Sequence, residues 1–116
     1  MAAGQYNFDI EQGVAFARIM NLKDANGDTM NLTGYSARMQ IRPYVSSDEV
    51  LIEATTANSK LIITPLTGVL TLSLSAADTT SLVYTKSVYD IELINSAGIP
   101  VRLLQGEINV SREVTR

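Results

Sequence analysis

The chain contains no cysteine, no histidine and no tryptophan. Without cysteine there is neither a disulfide framework nor a thiolate metal site. Without histidine the commonest general base, the commonest zinc ligand and the usual switch near neutral pH are all missing. No apolar run approaches the ~20 residues that span a bilayer, so no membrane partner is expected. The opening Met-Ala-Ala-Gly-Gln-Tyr has neither a basic nor an apolar leader region, so no signal peptide is expected and the chain reads as cytosolic at synthesis. A net charge of −3 argues against a nucleic-acid partner.

What remains is the composition of a folded domain. The 116 residues suit one unit with a real core, and 46% apolar against 18% charged residues separates the chain from disordered sequences. Gly34 to Pro43 carries the clearest pattern. Tyr35, Ala37, Met39 and Ile41 alternate with Ser36, Arg38, Gln40 and Arg42, which predicts a half-buried strand with one apolar and one cationic face. Proline cannot donate to a sheet ladder, so Pro43 marks its end.

The flanking segments repeat that period. Tyr6, Phe8 and Ile10 predict a first strand after a flexible lead over 1–5, and Gly13 supplies a positive φ for a turn or bulge. Val14–Met20 reads as a strand, with Val14, Phe16, Met20 and Arg18 on one side; helical spacing of Phe16, Ile19 and Met20 is the competing reading. Asp24-Ala25-Asn26-Gly27-Asp28 predicts a hairpin turn that pairs 18–23 with 29–32. Short strands follow over 50–55, 60–64 and 69–75, with a tight Pro65–Gly68 connection and Leu70, Leu72 and Leu74 inward. Ser75 and Asp78 predict a capped helical turn near 76–82. A long hairpin closes the chain, 88–94 against 99–110 about Asn95–Gly98, with Gly106 marking a bulge or a close backbone approach. Residues 111–116 are expected to fray or to be held by a neighbour. About seven or eight short strands and one scrap of helix predict a single all-β domain, an antiparallel β-sandwich with an open barrel as the alternative.

Nothing in the pattern calls for catalysis or a cofactor. Asp24, Asn26 and Asp28 have the opening spacing of a calcium loop, but Thr29 stands where its glycine belongs and Tyr35 where its glutamate belongs. The pairs Asp9/Glu11 and Asp90/Glu92 each lie on one strand face, as solvated faces commonly provide, and no base is present to activate a serine or threonine. Arg38 and Arg42, with Arg18 nearby, form either an interaction surface or a solvated face ion-paired to Asp90 and Glu92, the second being favoured. The tyrosines belong to the core or its edge, except Tyr44 in the polar loop 44–49. Tyr6, Phe8, Arg38, Arg42, Tyr44, Arg112 and Arg116 are the candidate contact residues.

Three segments in order carry a resemblance: Phe8–Gly13 followed by the Asn-Gly turn, Leu32–Arg42, and Val88–Leu93 with Val101–Ser111. Together they resemble small tailed-bacteriophage virion proteins similar to the N-terminal domain of BppU-type upper baseplate proteins. The resemblance implies an immunoglobulin-like β-sandwich present in several copies in a virion, an attachment module of the tail or baseplate whose partners are other virion proteins. In that family a fibre or receptor-binding region follows the domain, whereas this sequence stops at Arg116; a stand-alone adaptor between two virion proteins is therefore expected. A capsid decoration protein is the alternative. A carbohydrate-binding module is disfavoured by the few aromatics. Truncation of residues 1–8 is expected to abolish assembly and leave the fold intact.

Overall fold

In a computed structural model the structure describes residues 4–115. Its strands are β1 (Gly4–Gln5), β2 (Phe8–Glu11), β3 (Phe16–Asn21), β4 (Ser36–Arg42), β5 (Ile52–Thr55), β6 (Leu61–Thr64), β7 (Val69–Leu74), β8 (Lys86–Ile94) and β9 (Pro100–Ser111). A 3₁₀ turn at Pro65–Thr67 and one short helix, α1 (Ala76–Thr80), interrupt them. Two sheets face each other: a large one ordered β1-β9-β8-β4-β5, with β2 also on β9, and a small one ordered β3-β7-β6.

The period-two segments bury the faces expected of them. Ala37, Met39 and Ile41 of β4, Leu70, Leu72 and Leu74 of β7, and Tyr89, Ile91 and Leu93 of β8 meet in one core with Phe8, Ile10 and Ile108. Each fully buried aliphatic or phenyl side chain contributes roughly 1.5–3 kcal/mol relative to exposure. Ser75 and Asp78 form a reciprocal capping box at α1. Burial opposes ionisation of the Asp78 carboxyl, but hydrogen bonds from Lys60 and from the Ser75 amide and hydroxyl outweigh it and hold its pKa below 3.8.

Two arrangements differ from expectation. First, the sandwich is not wholly antiparallel: β1 and β2 pair with β9 in parallel, in the register Phe8↔Ile108 and Ile10↔Val110. Parallel neighbours need a long crossover, here nearly the whole chain, so no local turn announces the pair. Second, β3 does not pair with 29–32. The Asn26-Gly27 turn forms, with Asp24 N–H donating to the Asp28 carbonyl, but the pairing stops at one bridge, Lys23↔Thr29. Leu32 then dives into the core, and β3 pairs with β7 over Phe16↔Leu74 to Asn21↔Val69. The structure also decides between the two readings of Gly106, since the bulge in β9 lies at Leu103, between Ile91↔Leu104 and Glu92↔Arg102.

Gly106 marks the close approach instead. A Cβ there would stand 2.1 Å from the carbonyl oxygen of Tyr6, where the chain between β1 and β2 crosses β9. Asn7 Oδ1 accepts from the Glu107 amide at 2.9 Å, and the Tyr89 hydroxyl donates to the Tyr6 carbonyl at 2.6 Å. Residues 4–5 and 111 are therefore strand. Beyond them Glu113 N–H donates to Gln12 Oε1, and the buried Gln12 amide donates to the carbonyls of Thr80 and Leu82. One glutamine thus ties the first turn, the end of α1 and the tail together.

Candidate interaction surface

The outer face of the large sheet gathers charge from four strands. Register places Arg38 opposite Glu92 and Gln40 between Asp90 and Glu53. Arg38 Nε lies 2.6 Å from Glu92 Oε1, Arg102 Nε 3.4 Å from Asp90 Oδ2, and Lys86 Nζ 3.8 Å from Glu107 Oε1. Gln40 donates to Glu53, while Arg42 donates to Gln40 Oε1 and to the Ser47 carbonyl. Of the pairing expected on this face, Arg38 with Glu92 forms, whereas Asp90 is held by Arg102 and Arg42 meets only neutral acceptors; such exposed pairs contribute about 0–1 kcal/mol each. The face is a shallow depression in which cations and anions cancel locally. Of the two carboxylate pairs, Asp90 and Glu92 each hold an arginine, and in the other Asp9 accepts from Asn109. Among the described residues no group of three His, Cys, Asp or Glu stands close enough to hold a metal ion.

The outer face of the small sheet is the opposite case. Ala17, Ile19 and Asn21 of β3, Val69, Thr71 and Ser73 of β7, and Ile62 and Thr64 of β6 point outward, and none is charged. Ile19, Thr71 and Ile62 form one cross-strand row, with Ile19 64% exposed.

The candidate contact residues do not form one patch. Arg38 and Arg42 share the large sheet's outer face. Tyr44, 60% exposed, and Arg112 lie at one pole with the loops around residues 12–14 and 81–85. There Tyr84 donates to Glu49, whose negative charge pushes the Tyr84 phenol pKa up. Tyr6 is partly exposed at the seam between the sheets. Phe8 is 0% exposed and packs on Tyr6, Phe16 and Tyr89, so it belongs to the core and offers nothing to a partner. Arg116 lies outside the described residues. Two further corrections follow from exposure and placement. Tyr6 and Tyr84 join Tyr44 as exposed tyrosines. Arg18 is not beside Arg38 and Arg42; it points inward from β3 over the rings of Tyr6, Phe8 and Phe16 at 5.5–5.6 Å and donates to the Tyr6 hydroxyl. Sequence reasoning missed Ile19 and Ile62 as surface features. Their signal was the lack of charge at alternate positions of two strands not known to share a sheet.

Strand order assigns the class: an immunoglobulin-like β-sandwich. β3, β7 and β6 stand where strands B, E and D stand in that fold, and β9, β8, β4 and β5 where G, F, C and C′ stand. No family model and no curated protein matches the chain. Among solved structures it is similar to extracellular domains 3–5 of Drosophila OTK, at 19% identity and a TM-score of 0.40 over 97% of this chain and 33% of that one. The chain therefore spans about a third of that structure's length.

Proposed function

We propose that this chain is a structural virion protein of a tailed phage, an adaptor or attachment module that links the tail core to fibres or other baseplate parts. Its role is binding rather than catalysis, and it acts in multiple copies within a symmetric assembly. The resemblance of Phe8–Gly13, Leu32–Arg42 and the β8–β9 hairpin to the upper-baseplate family supplies the context. The observation that carries the linking role is the parallel pairing of the first and last strands. Two parallel strands run toward the same pole, so the chain comes in from the side of the Asn95–Gly98 turn and leaves beside Gln12 and Thr80. A module that joins two bodies in series needs attachments at opposite poles, and the direction of these strands supports that reading.

Fractionating phage particles that contain the chain into heads and tails, and probing each with an antibody, tests the proposal. Signal with the tails, at a fixed ratio to a tail-ring protein, is the expected result. Signal with the heads would make the sandwich a capsid decoration protein. Absence from both would remove the virion role.

A further inference from the structure

Among the described residues the sandwich has four free sheet edges: the outer sides of β1 and β2 together, of β3, of β5 and of β6. Those of β5 and β6 are four residues long, and Asn58 side-chain hydrogen bonds to Thr55 N–H and the Glu53 carbonyl finish β5. The edge on β2 is also four residues and carries Asp9 and Glu11 outward. Short strands and charges are the usual means of blunting an edge. The β3 edge is six residues long, with Ala17, Ile19 and Asn21 on its outer face. Among the described residues no strand pairs with it, because the N-terminal strand lies on β9 instead.

Its polar groups can be assigned. Leu22 N–H donates to the Gly68 carbonyl, so even-numbered residues of β3 turn their main-chain groups toward β7. The opposite side of β7 agrees, since Ser73 N–H donates to the Lys60 carbonyl of the β6 segment. The N–H and C=O groups of Ala17, Ile19 and Asn21 therefore point outward at the free edge. Beside them, on the inner side, stands Arg18. It is half-buried over three rings, and among the described residues no carboxylate pairs with it.

We infer that the free edge of β3 takes an added antiparallel strand from a partner protein, and that this strand carries a carboxylate opposite Arg18. Main-chain groups of Ala17, Ile19 and Asn21 supply the affinity, and the alternating side chains supply the choice of partner. Covering Arg18 with a neutral strand would bury a cation without a counter-charge, so the same arginine rejects neutral strands. A second copy of β3 fits poorly. In antiparallel pairing about Ile19 it would place Met20 of the copy opposite Arg18, with the two arginines diagonal to each other and no carboxylate between them. The inference does not depend on the virion reading, because edge and cation are properties of the fold.

The test is a titration of the isotope-labelled full chain with a capped peptide of core valine-threonine-glutamate-threonine-valine, against the same peptide with lysine replacing glutamate. Amide resonances and hydrogen exchange are followed. The expected result is shifted and slowed amides at Ala17, Ile19 and Asn21, with the glutamate peptide binding about fivefold or more tighter than the lysine one. Arg18→Gln should erase that difference and keep the shifts. Ile19→Pro removes only the outward donor and should abolish binding. Should that variant not fold, Ile19→Lys, a change at an exposed position, should weaken binding through the outer face. Absence of shifts at these three amides, shifts centred on another edge, or equal affinity for both peptides would overturn the inference. So would concentration-dependent protection of the same amides without peptide, which would give the edge to a second copy.

Discussion

The two sheets treat water differently. The large sheet is covered: its outer face cancels charge pair by pair, through Arg38 with Glu92 and Arg102 with Asp90, and its β9 edge is closed by the N-terminal strand. The small sheet has three strands, an uncharged outer face and an uncovered β3 edge. Placing the first strand on β9 completes one sheet and leaves the other open, so the position of one strand decides which side of the sandwich is available to another chain. Charge density, the more conspicuous feature in the sequence, marks the side whose charges already satisfy one another.

Variants in each sheet sharpen this contrast. The largest effect is expected at Phe8, which anchors the N-terminal strand: Phe8→Ala should cost about 3–5 kcal/mol by denaturant unfolding. Truncation of residues 1–8 should likewise destabilise the fold, contrary to its expected neutrality, because it removes a fully buried phenyl ring. A cost below about 1 kcal/mol for Phe8→Ala would mean that the strand does not complete the large sheet. Tyr89→Phe removes the hydroxyl that donates to the Tyr6 carbonyl and should cost about 1–2 kcal/mol at neutral pH. Burial, with a smaller contribution from Tyr6, pushes the Tyr89 phenol from 10.0 to about 12. A raised folded-state pKa means that the stabilisation is complete below pH 10 and is lost as pH rises through about 12. Stability measured across that window should therefore fall less steeply in Tyr89→Phe than in the parent. Arg38→Ala breaks an exposed pair and should cost about 1 kcal/mol or less, reduced further in high salt. Ile19→Lys, on the bare face, should leave stability within about 0.5 kcal/mol while raising the solubility limit. A large loss of stability there would show Ile19 to be packed, and the bare face would not exist.

Much of the fold was legible because alternation reports faces. β4, β7 and β8 bury the residues their period selects, Ser75 caps α1, and Asn95–Gly98 turns the last hairpin. Neighbours were not legible. Alternation in β3 is equally compatible with a partner at 29–32 or at 69–74, and only the burial of Leu32 together with the apolar face of β7 decides between them. The parallel pairing of β2 with β9 spans 100 positions of register, Phe8 to Ile108, and leaves no local mark. That is why Phe8 read as a terminal contact and Arg18 as one more cation of the charged face. The bare β3 edge depends on both pairings, so this part of the candidate site was invisible while its residues were in plain view.

The openness of that edge is tested most directly by amide hydrogen exchange, residue by residue, on the isolated chain at low concentration. The expected result is an alternation along β3: fast exchange at Ala17, Ile19 and Asn21, slow exchange at Arg18 and Met20, and slow exchange through the part of β9 that the N-terminal strand covers. Equal protection of all five β3 amides would mean that something already occupies the edge, and the contrast between a closed and an open sheet would be wrong.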